Sequence, residues 1–169
     1  MLTEREVLEI IRKGEVDLSP LSIRDVEVEP QGRGGPDLAL RLAWGGWSSR
    51  FLGEISVTSS PRAVDAALAA ARRFATRGAL PLVIASYLDT RALQRFLDEE
   101  VSGMDLGGNA AILVPGRMAV FRTGAPNKYP ASRDIKSIYE GRSSLVPRVF
   151  LLRPRFDLVS DIMEEIKLR

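Results

Sequence analysis

Apolar and polar residues alternate along most of the chain with the periods typical of helices and strands. Residues 3–13 place apolar side chains at helical spacing, and Thr3 with Glu6 matches the pattern of a capping box. Residues 22–29 alternate apolar and charged side chains, with an irregular step at Arg24-Asp25. The pattern therefore predicts a capped helix followed by a half-buried strand that contains a bulge.

A β-hairpin is predicted over residues 37–58, where two strand-like runs are joined by Gly45-Gly46. An alanine-rich helix is predicted next. It starts at Pro61, since proline is favoured in the first turn of a helix, and it is expected to stop at Gly78.

Residues 80–88 form a continuous apolar run with the length of a buried central strand, and Asp89 or Thr90 can cap a helix directly after it. Two further strand-like runs flank Gly116 and predict a second hairpin. The predicted core is thus α-β-β-β-α-β-α-β-β, an α/β fold with a central mixed sheet flanked by helices.

The last forty or so residues have a different pattern, which predicts three short helices separated by Gly141 and Pro154. The first of these covers about residues 131–142. We therefore divide the chain into an α/β core, residues 1–125, and a helical tail, residues 126–169.

Composition narrows the chemistry that is available. The 169 residues are 45% hydrophobic and 27% charged, which is typical of a globular domain with a packed core. Cysteine and histidine are absent, which excludes disulfides, the common zinc sites and Ser-His catalysis. A bound metal would need oxygen ligands, which suit Mg²⁺ or Mn²⁺. With no membrane-length apolar run and no secretion signal, we expect a cytoplasmic protein without a membrane partner.

The basic residues are mostly arginine: 20 of 24, although the net charge is only +2. Arginine side chains match the geometry of phosphates, which favours nucleic acid as a partner. A GC-rich bacterial genome, which encodes arginine in place of lysine, explains the same bias. Charge alone leaves both explanations open.

Two acidic residues fall on the paired strands of the first hairpin. Asp37 follows Pro36 at the start of one strand, and Glu54 precedes Ile55 and Ser56 on the other. Since strand side chains alternate between faces, Glu54 and Ser56 point the same way, and Asp37 can reach that face. Two carboxylates with a backbone carbonyl make an oxygen site for Mg²⁺.

Over residues 3–122 this arrangement resembles the PD-(D/E)xK nuclease superfamily, with its restriction-endonuclease-like fold. The resemblance implies that Asp37 and Glu54 are metal ligands and that the lysine, which helps to position or activate water, is replaced by Ser56. It therefore favours a degenerate, non-catalytic module that binds nucleic acid or a partner protein. A divergent Mg²⁺-dependent endonuclease is the alternative, with Glu6 or Glu9 as a third acid.

A purely structural explanation of the two acids also stands. Asp37 can simply start a strand after a turn, and Glu54 can pair with Arg41 or Arg50 across the hairpin.

The stretch SGMDLGGNAAILVPGRMAVFRTG resembles a segment of bacterial proteins that join a nuclease-like domain to a winged helix, among them transcriptional regulators and relatives of abortive-infection antitoxins. Asp105, Gly108, Asn109 and Ala110 match that segment, and Gly107 departs from its usual alanine. From the residues themselves we expect a tight turn in which Asn109 binds the local backbone.

The tail resembles the opening of a truncated winged helix, with a helix through Leu152, a turn at Arg153-Pro154 and a second helix. No recognition helix follows, so base reading in the major groove is not expected.

Two interaction surfaces are predicted. Nucleic acid would be bound through phosphate contacts by Arg33, Arg62, Arg72 and Arg73, although the last two are equally explained as solvated helix residues.

The second surface is the hairpin tip, where Trp44 and Trp47 flank the two glycines. It would anchor a partner protein or a second copy in a homodimer, unless Trp44 closes the domain core.

Overall fold

The computed structural model of the chain describes residues 2–31, 34–58, 60–75, 78–130, 145–152 and 155–167. The chain forms two compact units, Met1–Ala131 and Ser132–Arg169.

The first unit is an α/β domain. Its elements, in chain order, are α1 Glu4–Arg12, β1 Ser22–Val28, β2 Leu38–Trp44, β3 Trp47–Ser56, α2 Pro61–Arg73, β4 Leu80–Ala85, α3 Thr90–Asp98, β5 Ser102–Asp105, β6 Ala110–Val114 and β7 Met118–Arg122.

The seven strands form one mixed sheet whose spatial order is the same as the chain order. β3, β4 and β5 run parallel, and all other neighbours are antiparallel. α2 and α3 make the two crossovers between parallel strands, so both lie on the same face of the sheet. An α/β fold with a mixed sheet flanked by helices, as the sequence predicted, is confirmed.

Each face of the sheet has its own core. One core packs α1 residues Val7 and Ile11 against strand residues that include Leu40, Phe51 and Ile84. The core on the opposite face contains residues of α2 and α3 packed on the sheet, among them Val64, Leu68, Ala71, Val83 and Phe96. The alanines of α2 permit this close helix-to-sheet packing.

Several local predictions are confirmed. Thr3 caps α1 in a capping box with Glu6. The register of β1 shifts between Arg24 and Glu27, as expected for a bulge, and Asp25 has a positive φ of 52°. Asp89, one of two predicted caps, accepts a hydrogen bond from Ala92 N at 2.7 Å and caps α3.

Two predictions were wrong. The sequence pattern missed β5, because four residues that include a glycine and end in an aspartate carry no strand periodicity. α2 ends at Arg73, with Phe74 as its C-cap, and does not continue to Gly78. The backbone at Gly78 has a φ of +105°, so glycine serves the loop there and does not end the helix.

The second unit contains α4 Leu145–Leu152 and α5 Val159–Lys167. The rings of Phe150 and Phe156 meet edge to face, with centroids 5.3 Å apart. The predicted first helix of the tail and the Arg153-Pro154 turn lie outside the described residues. No helix in the described part of the chain has both the length and the apolar character needed to cross a bilayer.

Candidate functional site

The β2–β3 register brings Asp37 and Glu54 together. The last paired residues of this ladder are Leu38 and Gly53, so the next residue on each strand, Asp37 and Glu54, lie opposite one another. Opposite residues of an antiparallel pair share a face. Leu38 belongs to the core on the α1 side, so the two carboxylates lie on the other face, together with α2.

Asp37 also has a structural role. Its Oδ2 accepts a hydrogen bond from Ile55 N at 2.7 Å, just beyond the end of the ladder, and its carbonyl accepts one from Glu29 N at 2.8 Å. The Asp37 carboxylate thus accepts the hydrogen bond of a β3 N–H group that lies beyond the end of the β2–β3 ladder. A second oxygen, Oδ1, is left for another contact.

Burial and a neighbouring negative charge raise the pKa of both acids. Partial burial raises the pKa of Asp37, the hydrogen bond from Ile55 lowers it, and the charge of Glu29 raises it. Burial, and then the charge of Asp37, raise the pKa of Glu54 to about 7, although Arg73 lowers it. A cation placed between the two carboxylates would relieve both effects.

The cross-hairpin ion pairs predicted for Glu54 do not form. Arg41 pairs with Asp25, and Arg50 pairs with Glu27, each at 3.2 Å. Glu54 has no ion pair within the described residues. The purely structural explanation of Glu54, an ion pair with Arg41 or Arg50, is therefore wrong.

Ser56 occupies the position at which the resemblance places a lysine. Ile55 belongs to the core on the α1 side, so Ser56 shares the opposite face with Glu54, as the sequence predicted. Its side chain is buried, and Oγ donates a hydrogen bond to the carbonyl of Thr58 at 2.8 Å. The serine proton is therefore engaged within its own loop.

The glutamates of α1 differ from the expectation. Glu6 is held by Thr3 in the capping box, and Glu9 lies 4.0 Å from Arg5. It is Glu4 whose charge raises the pKa of Glu54. Glu4 lies in the first turn of α1, two residues before the capping Glu6, and it was not predicted from the sequence as a residue of the site.

The donor set is compatible with a divalent cation that prefers oxygen. Asp37 and Glu54 present two half-buried carboxylates on one face, and burial raises the pKa of both. No group of three or more acidic residues gathers around a metal-sized position in the described ranges. The protein would then supply two side-chain ligands, Asp37 and Glu54, with the carbonyl of Ile55 as a candidate third.

The four arginines predicted to bind nucleic acid have different surroundings. Arg33 lies outside the described residues. Arg62 is exposed in the first turn of α2 and has no ion pair within the described part of the chain. Arg72 binds both the carboxylate and the carbonyl of Glu99, and Arg73 is close enough to Glu54 to lower its pKa. Among the three described arginines, Arg72 is thus engaged with Glu99.

The tryptophans of the hairpin tip differ in exposure. Trp44 is 49% exposed, whereas Trp47 packs against the core on the α1 side. Trp47 Nε1 is buried without a hydrogen-bond partner. The alternative that Trp44 closes the core is therefore wrong, and Trp47 takes that role.

The turn after β5 is a closed hydrogen-bond network. Asp105 and Asn109 are buried, and the amide of Asn109 exchanges two hydrogen bonds with the backbone of Ala125, at 2.8 and 3.0 Å. The Asp105 carboxylate accepts from the backbone N–H groups of Leu88, Gly107, Gly108 and Asn109 and from Asn109 Nδ2. A structural role for this motif is confirmed, but the prediction that Asn109 binds the local backbone was wrong. Asp105 binds the local N–H groups, and Asn109 binds Ala125, 16 residues away.

Comparison of the chain with protein-family models, with curated proteins and with solved structures found no match.

Proposed function

We propose that this chain is a nuclease-like module that binds nucleic acid, in regulation or in defence against foreign DNA, without cleaving it. The observation that carries the proposal is the state of Ser56. The two carboxylates of a nuclease motif converge at Asp37 and Glu54, but the third position holds a neutral hydroxyl bound to Thr58.

Hydrolysis of a phosphodiester needs an activated water and positive charge at the phosphate. Ser56 supplies no positive charge, and its only hydroxyl proton is already donated to a backbone carbonyl. Arg73 is the cation that lowers the pKa of Glu54. Arginine stays protonated, so it can bind a phosphate but cannot accept a proton from water.

A divalent cation bound by Asp37 and Glu54 would act as a Lewis acid on a phosphate oxygen. In the proposed module these two residues bind and orient the phosphate, since Ser56 stands where the nuclease motif has its lysine. Phosphate contacts fall to exposed arginines, of which Arg62 is free of ion pairs in the described part of the chain.

The proposal is tested by fluorescence anisotropy of labelled single- and double-stranded DNA, titrated with wild type, Arg62→Gln and Arg117→Gln. Arg117 is a matched control, because it is exposed in the β6–β7 turn at the opposite edge of the sheet. We expect affinity to fall steeply between about 50 and 200 mM salt and to fall for Arg62→Gln alone. Absence of DNA binding at low salt would overturn the proposal.

A divergent endonuclease is the second candidate, and the convergence of Asp37 and Glu54 on one face of the sheet favours it. A divalent cation held by these two carboxylates would supply the activated water. Mn²⁺-dependent cleavage that is lost in Asp37→Asn would establish this candidate in place of the first.

A dimerisation module is the third candidate, favoured by the exposed ring of Trp44. Its test is the molar mass in solution, by light scattering, of wild type and Trp44→Ala. A dimer that becomes a monomer on this substitution supports it, and a monomeric wild type rejects it.

A further inference from the structure

A cavity of about 460 Å³ opens between α2 and α3. It contains Pro61 from the first turn of α2 and Asp89, the N-cap of α3. Both helices begin at the carboxyl ends of β3 and β4, the edge at which open α/β sheets bind ligands. Asp37 and Glu54 lie at this same edge, because β2 starts where β3 ends. The volume is in the range of small-molecule sites.

The walls of the cavity are largely apolar. Pro61, Val64 and Ala92 line it, and Val64 is part of the buried core, so this wall is held in place by packing. The ring of Tyr87 adds a half-buried aromatic surface. A flat, partly apolar group such as a nucleobase fits these surroundings.

Among the described residues that line the cavity, one cation is free. Arg95 forms an ion pair with Asp65, and Asp89 is engaged as the cap of α3. Arg91 is exposed, and it has no ion pair or hydrogen bond with any side chain in the described ranges. Its guanidinium is thus available to an anion such as a phosphate.

We propose that this cavity binds a nucleotide, with Tyr87 stacked on the base and Arg91 bound to the phosphate. The combination of an apolar wall, an aromatic ring and a free cation matches a whole nucleotide better than it matches a phosphate or an apolar ligand alone. Inorganic phosphate alone makes no use of the wall, and an apolar ligand makes no use of Arg91.

The nucleotide is either free in solution or part of a bound strand. The second case rests on the proposed function, and it would extend the DNA surface from Arg62, next to Pro61, across the cavity mouth. Binding of a free nucleotide does not depend on the proposed function.

The test is isothermal titration of dAMP, and separately of a twelve-residue oligothymidylate, into wild type, Tyr87→Ala and Arg91→Gln. Trp44→Ala and Arg117→Gln serve as controls, since both residues are exposed at the opposite edge of the sheet. We expect each cavity variant to weaken binding at least about tenfold, as loss of one stacked base or one charged contact does, and each control to leave it unchanged. Far-ultraviolet circular dichroism checks that each variant is folded.

Binding of dAMP that both cavity variants weaken supports a free nucleotide as ligand, even if the oligonucleotide does not bind. Binding of the oligonucleotide alone, weakened in the same way, supports a subsite for a strand. If the oligonucleotide binds but neither Tyr87 nor Arg91 matters, the nucleotide cavity is wrong and the proposed function stands. If neither ligand binds, the nucleotide cavity is wrong, and anisotropy with duplex DNA decides whether the proposed function stands.

Discussion

Asp105 and Asn109 form a buried polar pair in which Asn109 Nδ2 donates to Asp105 Oδ2 at 2.7 Å. Around this pair, the carboxylate closes the turn after β5, and the asparagine ties that turn to the segment after β7 through Ala125. A carboxylate that accepts this many hydrogen bonds is costly to replace, because each donor that loses its acceptor stays buried and unpaired.

We expect Asp105→Asn to destabilise the domain by about 3 kcal/mol, although the side chain keeps its shape. The amide group would direct hydrogens at donors such as Leu88 N. Urea unfolding of wild type and variant measures the change. Asp98→Asn, at an exposed helix end, is the control and should shift stability by less than about 0.5 kcal/mol. A small effect at Asp105 would mean that the network is not formed in solution.

Glu54 should make stability depend on pH. Its folded pKa of about 7 is raised above the ordinary value of 4.5, so between these values the folded protein keeps a proton that the unfolded chain has released. The free energy of unfolding is therefore highest below the ordinary pKa of 4.5 and falls as the pH rises from there to about 7. After allowance for solvent screening, the cost above this pH range is about 1 to 2 kcal/mol.

Glu54→Gln should remove this cost, so the variant should be more stable than wild type at about pH 8 and nearly equal to it at about pH 4.5. Urea unfolding at both pH values provides the measurement, with Glu15→Gln as the control for an exposed glutamate. A variant that is less stable than wild type at the higher pH contradicts the account of Glu54.

The effect of Asp37 on the pKa of Glu54 can be measured directly. In Asp37→Asn, the amide oxygen can still accept the hydrogen bond from Ile55 N, but the charge that raises the pKa of Glu54 is gone. We expect the pKa of the Glu54 carboxyl, followed by carbon-detected NMR, to fall relative to wild type. An unchanged value would show that the two carboxylates do not converge.

The tryptophans provide an optical test of the hairpin tip. In Trp44→Phe, the remaining Trp47 packs on the core, so its emission should be blue-shifted and weakly quenched by iodide. In Trp47→Phe, the emission of the exposed Trp44 should be red-shifted and strongly quenched. The reverse result would contradict the exposure assigned to the two rings.

Local sequence patterns predicted much of the fold, because caps, bulges and hairpins depend on neighbouring residues. Thr3 with Glu6 and the step at Arg24-Asp25 are of this kind. β5 escaped prediction because its strand character comes from the flanking strands β4 and β6 and not from its own four residues.

The candidate site was predictable only in part. The strand positions of Asp37 and Glu54 follow from local pattern, but the partners of charged side chains do not. Arg72 binds Glu99, 27 residues away, a contact that depends on how α2 and α3 lie on the sheet. The cavity beside Tyr87 likewise exists only because both helices start at one edge.

The most direct test of the central claim follows labelled duplex DNA that is saturated with the protein in the presence of Mn²⁺, with anisotropy reporting binding and a denaturing gel of the same sample reporting cleavage. The account predicts DNA that is bound and remains full length, with wild type and with Asp37→Asn. Cut strands with wild type that are absent with Asp37→Asn would contradict it and make the chain a nuclease.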